Sequence, residues 1–330
     1  MVKRKTYLKA DASSGIGYGH FIRTLALADM LKEEFDCTFF TSNPNEFQKS
    51  EVSKVCKIYP LPFETAQDEF LSILQGDEIV VLDNYYYTSQ YQKQIKQKGC
   101  CLVCIDDIPE KHFFADLIIN HSLCVSASDY DCEDYTSICV GMDYLLLRKE
   151  FLEATNMQFS GIRNSIFICY GGSDEFDFSL KSCKLLRGLD DRHIIVVIGG
   201  GYCNKEELQR YAEGNNISVY SNIDANQMIK LMYSSSLAVV PASTTFFEAC
   251  CARLPIITGY TVDNQRLIAS SCERYSLGYN CGNFHIGFEG KLKTAYSAID
   301  EKHTKEYVSS QERLINDSSE NILNIFRKLC

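Results

Sequence analysis

The run Lys9-Ala10-Asp11-Ala12-Ser13-Ser14-Gly15-Ile16-Gly17-Tyr18-Gly19-His20-Phe21-Ile22-Arg23 lies between a short apolar segment and a helix-forming one. The apolar pair Tyr7 and Leu8 before it predicts a first strand, and the apolar residues of 25–31 after it predict a helix. A glycine-rich turn in this position lets backbone N–H groups approach an anionic ligand, and the helix N-terminus adds partial positive charge. The run therefore predicts a β-strand, an anion-binding turn and an α-helix.

His20 stands where the turn becomes helix, so we expect its imidazole to project above the carboxyl ends of the strands. A helix N-terminus disfavours imidazolium, which keeps a histidine neutral and available as a base. A plain structural turn is the alternative, because Gly-x-Gly alone is a weak signal. Ile22 occupies the position of the third glycine in the dinucleotide fingerprint, so a dinucleotide site is not predicted.

Composition bounds the class of protein. The 330 residues suffice for two domains, and 45% hydrophobic with 23% charged residues is typical of a globular chain. A net charge of −10 argues against nucleic acid or an anionic membrane surface as partner. The basic start, residues 1–5, has no secretory apolar core after it, and no apolar run is long enough for a bilayer. We expect a cytoplasmic protein without an integral membrane segment. The sequence does not indicate which proteins, if any, it binds.

Sixteen cysteines raise the question of a metal or disulfide framework. The densest group, Cys100, Cys101 and Cys104, lies in an apolar run that reads as a buried strand, and no second Cys-x-x-Cys pair accompanies it. We therefore predict reduced thiols that act as small hydrophobes, with no metal and no cofactor.

Strands and helices alternate along the chain, which predicts the α/β class. Apolar runs at 78–82 and 101–105 belong to a first series, and those at 165–170, 193–198, 237–240 and 255–258 to a second. A polar segment separates the two series. The predicted domains are residues 1–154 and 165–330, joined by a linker at 155–164.

Candidate ligand-binding residues follow several strands. The turn Gly171-Gly172-Ser173-Asp174 can cradle a diphosphate with its backbone. Ser243-Thr244-Thr245 opens a helix that carries Glu248, and the hydroxyl groups can bind phosphate or cap the helix. An ordinary N-cap with a first-turn glutamate is the alternative there. Tyr86 and Tyr87 also follow a predicted strand, the one at 78–82, but we interpret them as a solvent-facing aromatic edge and not as ligand-binding residues.

The run at 11–23 resembles the signature of the UDP-sugar hydrolases of the pseudaminic acid pathway, which belong to the GT-B superfamily beside the MurG-type glycosyltransferases. Members often carry arginine where this chain has Lys9, and asparagine where it has Phe247. Further matches are Asp83 and Tyr85 of an Asp-x-Tyr motif, Asn120 at a strand end, the segment Gly-Met-Asp-Tyr-Leu-Leu-Leu-Arg-Lys-Glu-Phe at 141–151, the turn at 171–174, Glu248, and the pair Asn264-Gln265.

This resemblance implies a GT-B architecture, in which two Rossmann-like domains with parallel sheets face each other across a cleft. The C-terminal domain would bind UDP, and a terminal helix, with 320–329 as candidate, would pack back on the N-terminal domain. The implied reaction is metal-independent, inverting hydrolysis of UDP-2,4-diacetamido-2,4,6-trideoxy-β-L-altropyranose to UDP and the free sugar. A GT-B glycosyltransferase and a non-catalytic UDP-sugar binding protein remain alternatives.

The resemblance also implies roles for residues. His20 would be the general base, Asp11 would orient it or hold the sugar, and Tyr85 would position the water. The substrate-binding residues would be Gly17, Gly19, Arg23, Asn120, Gly171, Gly172, Ser173, Asp174, Ser243, Thr244, Thr245, Glu248, Asn264 and Gln265.

Overall fold

The computed structural model describes residues 3–12, 17–157 and 161–329, which belong to two units. Unit 1 comprises residues 1–149 with 317–330, and unit 2 comprises residues 150–316. The segment predicted as a linker falls inside unit 2, and its residues 158–160 lie outside the described ones. Within unit 2 the Arg163 guanidinium donates to the carbonyl groups of Ala252 and Arg253, which ties this segment to the unit.

Seven parallel strands form the main sheet of unit 1, in the order β3-β2-β1-β4-β5-β7-β9, and β6 pairs with β8 beside it. The strands are β1 (Lys5–Ala10), β2 (Asp36–Ser42), β3 (Lys57–Leu61), β4 (Ile79–Asp83), β5 (Cys101–Ile105), β6 (His112–Phe113), β7 (Leu117–Asn120), β8 (Asp131–Cys132) and β9 (Ser137–Val140). The helices between them are α1 (Gly19–Leu31), α2 (Glu46–Ser53), α3 (Ala66–Ile73) and α4 (Ser89–Gln97).

Six parallel strands form the sheet of unit 2, in the order β12-β11-β10-β13-β14-β15. They are β10 (Ser165–Ile168), β11 (His193–Ile198), β12 (Ile217–Ser221), β13 (Ser235–Val239), β14 (Ile256–Tyr260) and β15 (Tyr279–Asn283). The helices are α5 (Lys149–Ala154), α6 (Phe178–Arg187), α7 (Lys205–Ala212), α8 (Ala225–Tyr233), α9 (Thr244–Cys251), α10 (Arg266–Arg274), α11 (Phe288–Ala298) and α12 (Glu301–Leu314). Two parallel sheets with helices between their strands confirm the predicted α/β class.

The last helix, α13 (Ser319–Arg327), belongs to unit 1. Ile322 and Phe326 on it are fully buried, and the Phe326 ring meets the Phe35 ring edge-on at a centroid distance of 6.0 Å. The Ser318 hydroxyl donates to the Leu145 carbonyl just before the helix. The end of the chain therefore completes the core of the first unit rather than the second.

Strand prediction succeeded in the sheet centres and failed at three edges. The central strands β4 and β5 are continuous apolar runs, as expected where helices cover both faces of a parallel sheet. The edge strands β3, β9 and β15 mix polar with apolar residues, and the sequence pattern does not predict them. An edge strand has only one neighbour, so less of it needs to be apolar.

The cysteines of the described residues are buried or half-buried, except Cys203. Burial raises the pKa of the Cys250 and Cys272 thiols well above the usual range. Within the described ranges there is no group of three or more His, Cys, Asp and Glu side chains arranged to hold a metal ion. Nor does any helix there have the length and apolar character needed to cross a membrane.

His112 on β6 links the short β6–β8 pair through two carboxylates. Its Nδ1 lies 2.9 Å from Asp131 Oδ1, and its Nε2 lies 3.0 Å from Glu133 Oε1. The hydrogen bonds with Asp131 and then Glu133 raise the pKa of His112 above its usual value. An imidazolium can donate from both nitrogens at once. His112 therefore makes hydrogen bonds to both carboxylates only when it is protonated.

We expect His112→Gln to lower the melting temperature at acid pH and to have little effect in alkaline solution. A pKa raised by folding gives a contribution that is fully present below the unfolded-state pKa and lost as pH rises through the folded-state pKa. Calorimetry at about pH 5.5 and about pH 9 brackets the ordinary histidine pKa of about 6.5. His193→Gln is the matched control, because His193 bonds to the amide of Asn216. If His112→Gln lowers the melting temperature equally at both pH values, a stabilising role for protonated His112 is contradicted.

Candidate functional site

Charged side chains of unit 1 gather at the carboxyl edge of its sheet. Asp83 ends β4, Asp106 and Asp107 follow β5, and His20 and Arg23 come from the first turns of α1. All five side chains are buried. Because the carboxyl ends of parallel strands meet at one edge, residues from three separate segments form a single cluster there, where α/β proteins place their ligands.

His20 is held by Asp83 at the centre of this cluster. Nδ1 of His20 lies 2.7 Å from Asp83 Oδ1. A carboxylate only accepts hydrogen bonds, so Nδ1 carries the proton and Nε2 has the lone pair. Arg23 Nη2 also lies 3.2 Å from Nδ1, but it donates to Asp83 Oδ1 at 2.6 Å. Nε2 has no hydrogen-bond partner among the described residues, which makes it the atom of the ring that can accept a proton.

The Arg23 guanidinium joins two carboxylates. It binds Asp83 through two nitrogens, at 2.7 Å from Nε and 2.6 Å from Nη2, and Asp107 Oδ1 at 2.6 Å from Nη1. Burial by itself raises the pKa of Asp83, but the Arg23 charge and then His20 outweigh it, so that pKa lies below its usual value. Thr24 adds a hydrogen bond of 2.8 Å to Asp83. Arg23, predicted to bind substrate, is thus engaged by protein carboxylates.

Tyr85 completes the cluster on its exposed side. Its hydroxyl donates to Asp107 Oδ2 at 2.5 Å, and its ring meets the His20 imidazole edge-on at 4.6 Å between centroids. The residue is 38% exposed, whereas Asp107 is 8% exposed. Burial by itself raises the pKa of Asp107, but the Arg23 guanidinium outweighs it, so that pKa lies well below its usual value. The structure thus brings together His20 and Tyr85, two of the three predicted catalytic residues.

Asp106 has different surroundings from its neighbour. Burial, and then the Asp107 charge, raise the pKa of Asp106 to about 7. The Tyr130 hydroxyl donates to Asp106 at 3.2 Å and accepts from the Asn120 amide at 2.8 Å. Asn120 Oδ1 also accepts from the backbone of Ser122 at 2.8 Å. Asn120, predicted to contact substrate, is therefore used inside the protein.

Asp11, the third predicted catalytic residue, belongs to a second cluster. Its carboxylate contacts Lys9 Nζ at 2.8 and 3.0 Å and accepts from the backbone N–H of Ser42 at 2.5 Å and from the Tyr86 hydroxyl. The carboxylate hydrogen-bonded to His20 is Asp83, whereas the sequence suggested Asp11 for that role. The contacts of Asp11 come from adjacent strand ends, since Asp11 follows β1 and Ser42 closes β2.

Tyr86 and Tyr87 correct the sequence interpretation of this segment. Tyr87 is 1% exposed and packs in the interior, and Tyr86 is bound to Asp11 through its hydroxyl. Tyr87 therefore contradicts the predicted solvent-facing edge, whereas Tyr86 is 37% exposed but uses its hydroxyl inside the protein. The position directly after the buried strand β4 was the available signal for both.

The predicted glycine-rich turn is described only in part, since residues 13–16 lie outside the described ones. Gly17 has a φ of +80°, in the left-handed region that favours glycine, and a Cβ there would meet no described atom within 4 Å. Gly19 is the first residue of α1. The helix has no acidic residue of its own in its first turn, and the Asp83 carboxylate from β4 contacts His20 there.

In unit 2, two glycine-rich turns pack against each other after β10 and β11. A Cβ on Gly199 would lie 2.2 Å from the Gly172 carbonyl oxygen, and Gly201 N–H donates to that oxygen at 3.0 Å. Gly171 has a φ of +83°, and Ser173 is half-buried. The turn at 199–201 follows the predicted strand at 193–198, and nothing in the sequence indicated that it packs against the turn at 171–174.

Asp174 caps the helix that follows this turn. Its two carboxylate oxygens accept from the backbone N–H groups of Phe178 at 2.9 Å and Ser179 at 2.7 Å. Burial raises its pKa to about 6. Gln265 has a comparable local role, because its side-chain oxygen accepts from Thr261 N–H at 2.9 Å. Both residues were predicted to contact substrate, and their hydrogen bonds within the protein shape the two turns.

The start of α9 has the arrangement that the sequence suggested. Thr244 and Thr245 are its first two residues, Ser243 stands at the N-cap, and all three are half-buried. The Ser243 side chain makes no capping hydrogen bond. Glu248 lies one turn further on and is 3% exposed, whereas Phe247 beside it is fully buried against Phe246. Asn264 lies in the short turn after β14 and is half-buried.

No protein-family model matches the chain. In sequence it is 28% identical over 342 aligned positions to an uncharacterized protein of Methanocaldococcus jannaschii, an alignment that covers 97% of this chain and 67% of that protein. It is 27% identical to the UDP-2,4-diacetamido-2,4,6-trideoxy-beta-L-altropyranose hydrolase of Campylobacter jejuni, over 81% of this chain and 95% of the relative. The spore coat polysaccharide biosynthesis protein SpsG of Bacillus subtilis is 24% identical over 79% of each.

Solved structures show the fold along the whole chain. Arabidopsis thaliana UGT89C1, solved with UDP, superposes with a TM-score of 0.71 at 11% identity, over 99% of this chain and 100% of that one. Acinetobacter baumannii MurG superposes with a TM-score of 0.67 at 14% identity, over 98% of this chain and 99% of that one. The chain therefore has the GT-B fold of these glycosyltransferases, as the sequence resemblance implied, and its sequence relatives include a named UDP-sugar hydrolase.

Proposed function

We propose that this protein is a hydrolase that releases UDP from a UDP-linked 2,4-diacetamido-2,4,6-trideoxyhexose, in the biosynthesis of a nonulosonic acid such as pseudaminic acid. The observation that carries the proposal is the buried His20–Asp83 pair at the carboxyl edge of a parallel sheet. The sugar class comes from the Campylobacter jejuni relative, whose name states it.

In the proposed reaction His20 Nε2 accepts a proton from a water molecule as its oxygen attacks C1 of the sugar. The bond between C1 and the UDP oxygen breaks, and UDP leaves with the electron pair. A single displacement of this kind inverts the anomeric carbon. Asp83 accepts the hydrogen bond from Nδ1, which fixes the tautomer and stabilises the imidazolium that forms. The proton then passes from His20 to solvent.

Residues of unit 2 are proposed to bind UDP. Half-buried hydroxyl groups and backbone N–H groups at the start of α9 and in the turn at 171–173 suit the diphosphate, which needs its growing charge stabilised. Glu248 is proposed to accept hydrogen bonds from the ribose hydroxyls, and Asn264 to contact the substrate. Gly17 and Gly19 are proposed to let the substrate approach the backbone of unit 1.

A glycosyltransferase is the second candidate, because the solved structures that share this fold include a MurG and a plant UGT. The same base would then activate an acceptor hydroxyl instead of water. The discriminating experiment incubates purified protein with a panel of UDP-sugars, with and without candidate acceptors, and identifies products by mass spectrometry and proton NMR. Release of UDP and free sugar without acceptor supports the hydrolase; binding without turnover of any sugar indicates a UDP-sugar binding protein.

We expect His20→Asn to lower kcat by ~10²–10⁴-fold, the usual contribution of a general base. UDP affinity should change little, because the residues proposed to bind the nucleotide are in the other unit. His193→Asn serves as a control for loss of an imidazole elsewhere. Near-normal turnover of a folded His20→Asn protein would refute the assignment.

Glu248→Ala should weaken UDP binding by ~1.5–3 kcal/mol, the range for hydrogen bonds to a charged group. Isothermal titration calorimetry with UDP measures the change, and Glu289→Ala, an exposed glutamate on α11, provides the comparison. Equal affinities of the two variants would place the ribose elsewhere.

Turnover should survive exhaustive treatment with EDTA. The proposed scheme uses side chains and backbone N–H groups for every charge that develops, so no step requires a divalent cation. The measurement is UDP release before and after chelation, followed by addition of Mg²⁺ or Mn²⁺. Activity that is lost with EDTA and restored by either ion would contradict the scheme.

A further inference from the structure

We propose that Asp107 is a positioning residue for this reaction, which orients the Tyr85 hydroxyl and anchors the arginine that holds Asp83 against His20. The inference rests on the proposed function for its catalytic consequence. Its structural basis is a closed ring of contacts that runs through Asp107, Tyr85, His20, Asp83 and Arg23 and returns to Asp107.

Each oxygen of Asp107 has its own partner in this ring. Oδ1 accepts from Arg23 Nη1 at 2.6 Å, and Oδ2 accepts from the Tyr85 hydroxyl at 2.5 Å. These two contacts run to different segments, α1 and the loop after β4, so the carboxylate fixes both relative to β5. Tyr85 is partly exposed, and its hydroxyl bonds to a buried charge. The hydroxyl therefore has a defined direction although the ring reaches solvent.

The rest of the ring transmits this constraint to the base. Arg23 contacts carboxylates at three of its nitrogens, so the plane of its guanidinium is fixed from both ends. Asp83, bound by that plane, accepts the hydrogen bond from His20 Nδ1, and the Tyr85 ring packs edge-on against the imidazole at 4.6 Å. Asp106, although adjacent in sequence to Asp107, contacts Tyr130 and is not a member of the ring.

Asp107→Asn preserves the shape of the side chain but replaces one acceptor oxygen with a donor, so one of the two contacts is lost. We expect kcat to fall by about tenfold to a hundredfold, as for a small misplacement of reacting groups, with KM changed less than about threefold. In a Tyr85→Phe background the same substitution should cost less, because part of its effect acts through that hydroxyl. Asp116→Asn is the matched control, since Asp116 pairs with Lys96 outside the ring. If Asp107→Asn lowers kcat by the same factor with and without Tyr85→Phe, the proposal is overturned. It is also overturned if Asp107→Asn lowers kcat no more than Asp116→Asn does.

A structural readout separates this inference from the proposed function. Tyrosine labelled with ¹³C at Cζ reports the hydrogen bonding of each hydroxyl by NMR, and Tyr85→Phe assigns the Tyr85 signal. That signal should move in Asp107→Asn and stay in place in Asp116→Asn; an unmoved signal in Asp107→Asn overturns the inference even if the enzyme is active.

Should wild type release no UDP from any sugar, the proposed function fails while the NMR result still decides whether Asp107 bonds to the Tyr85 hydroxyl. If Asp107→Asn does not fold, Asp107→Glu retains the charge with displaced oxygens, and an unchanged signal and kcat there would equally refute the assignment.

Discussion

The ion pairs of one buried guanidinium hold the candidate site of unit 1 together. Two carboxylates and an imidazole lie within the same small volume at the sheet edge, and burying such groups without partners is strongly unfavourable. Arg23 supplies the opposite charge to Asp83 and Asp107 simultaneously. It also joins α1 to the ends of β4 and β5, so the helix that carries His20 has a fixed register against the sheet. Replacing this arginine would leave both carboxylates buried without their cation.

In the second cluster at this sheet edge, a buried carboxylate again lies beside a buried cation. Lys9 is buried on β1 and neutralises Asp11, and Tyr86 supplies a further hydrogen bond. Burial lowers the pKa of Lys9 while Asp11 raises it, and the net direction is downward. Members of the resembled family often carry arginine at this position, and lysine preserves the charge although it offers a point contact instead of a planar fork.

Unit 2 presents a different kind of surface. Its strand ends carry glycine turns and a helix N-terminus, and the carboxylate of Asp174 is used to cap α6. The Gly172–Gly199 approach leaves no room for a side chain, which brings two backbone turns together. Backbone N–H groups suit anion binding in a protein whose net charge is −10. This contrast underlies our separate proposals for the two units: side-chain chemistry in the first and nucleotide binding in the second.

The class of fold and the position of His20 followed from local sequence patterns. Continuous apolar runs mark the central strands because both their faces are covered, and a histidine at the start of α1 must lie near the strand ends whichever partners it has. The resemblance added the GT-B architecture and the reaction that we propose. The partner of His20 depended on tertiary structure: His20 and Asp83 are 63 positions apart, and Arg23 and Asp107, which complete the cluster, are 84 apart. No local period relates such residues. The sequence offered Asp11 either to orient His20 or to hold the sugar, and only the strand order, which places β4 beside β1, shows that Asp83 is the carboxylate beside His20.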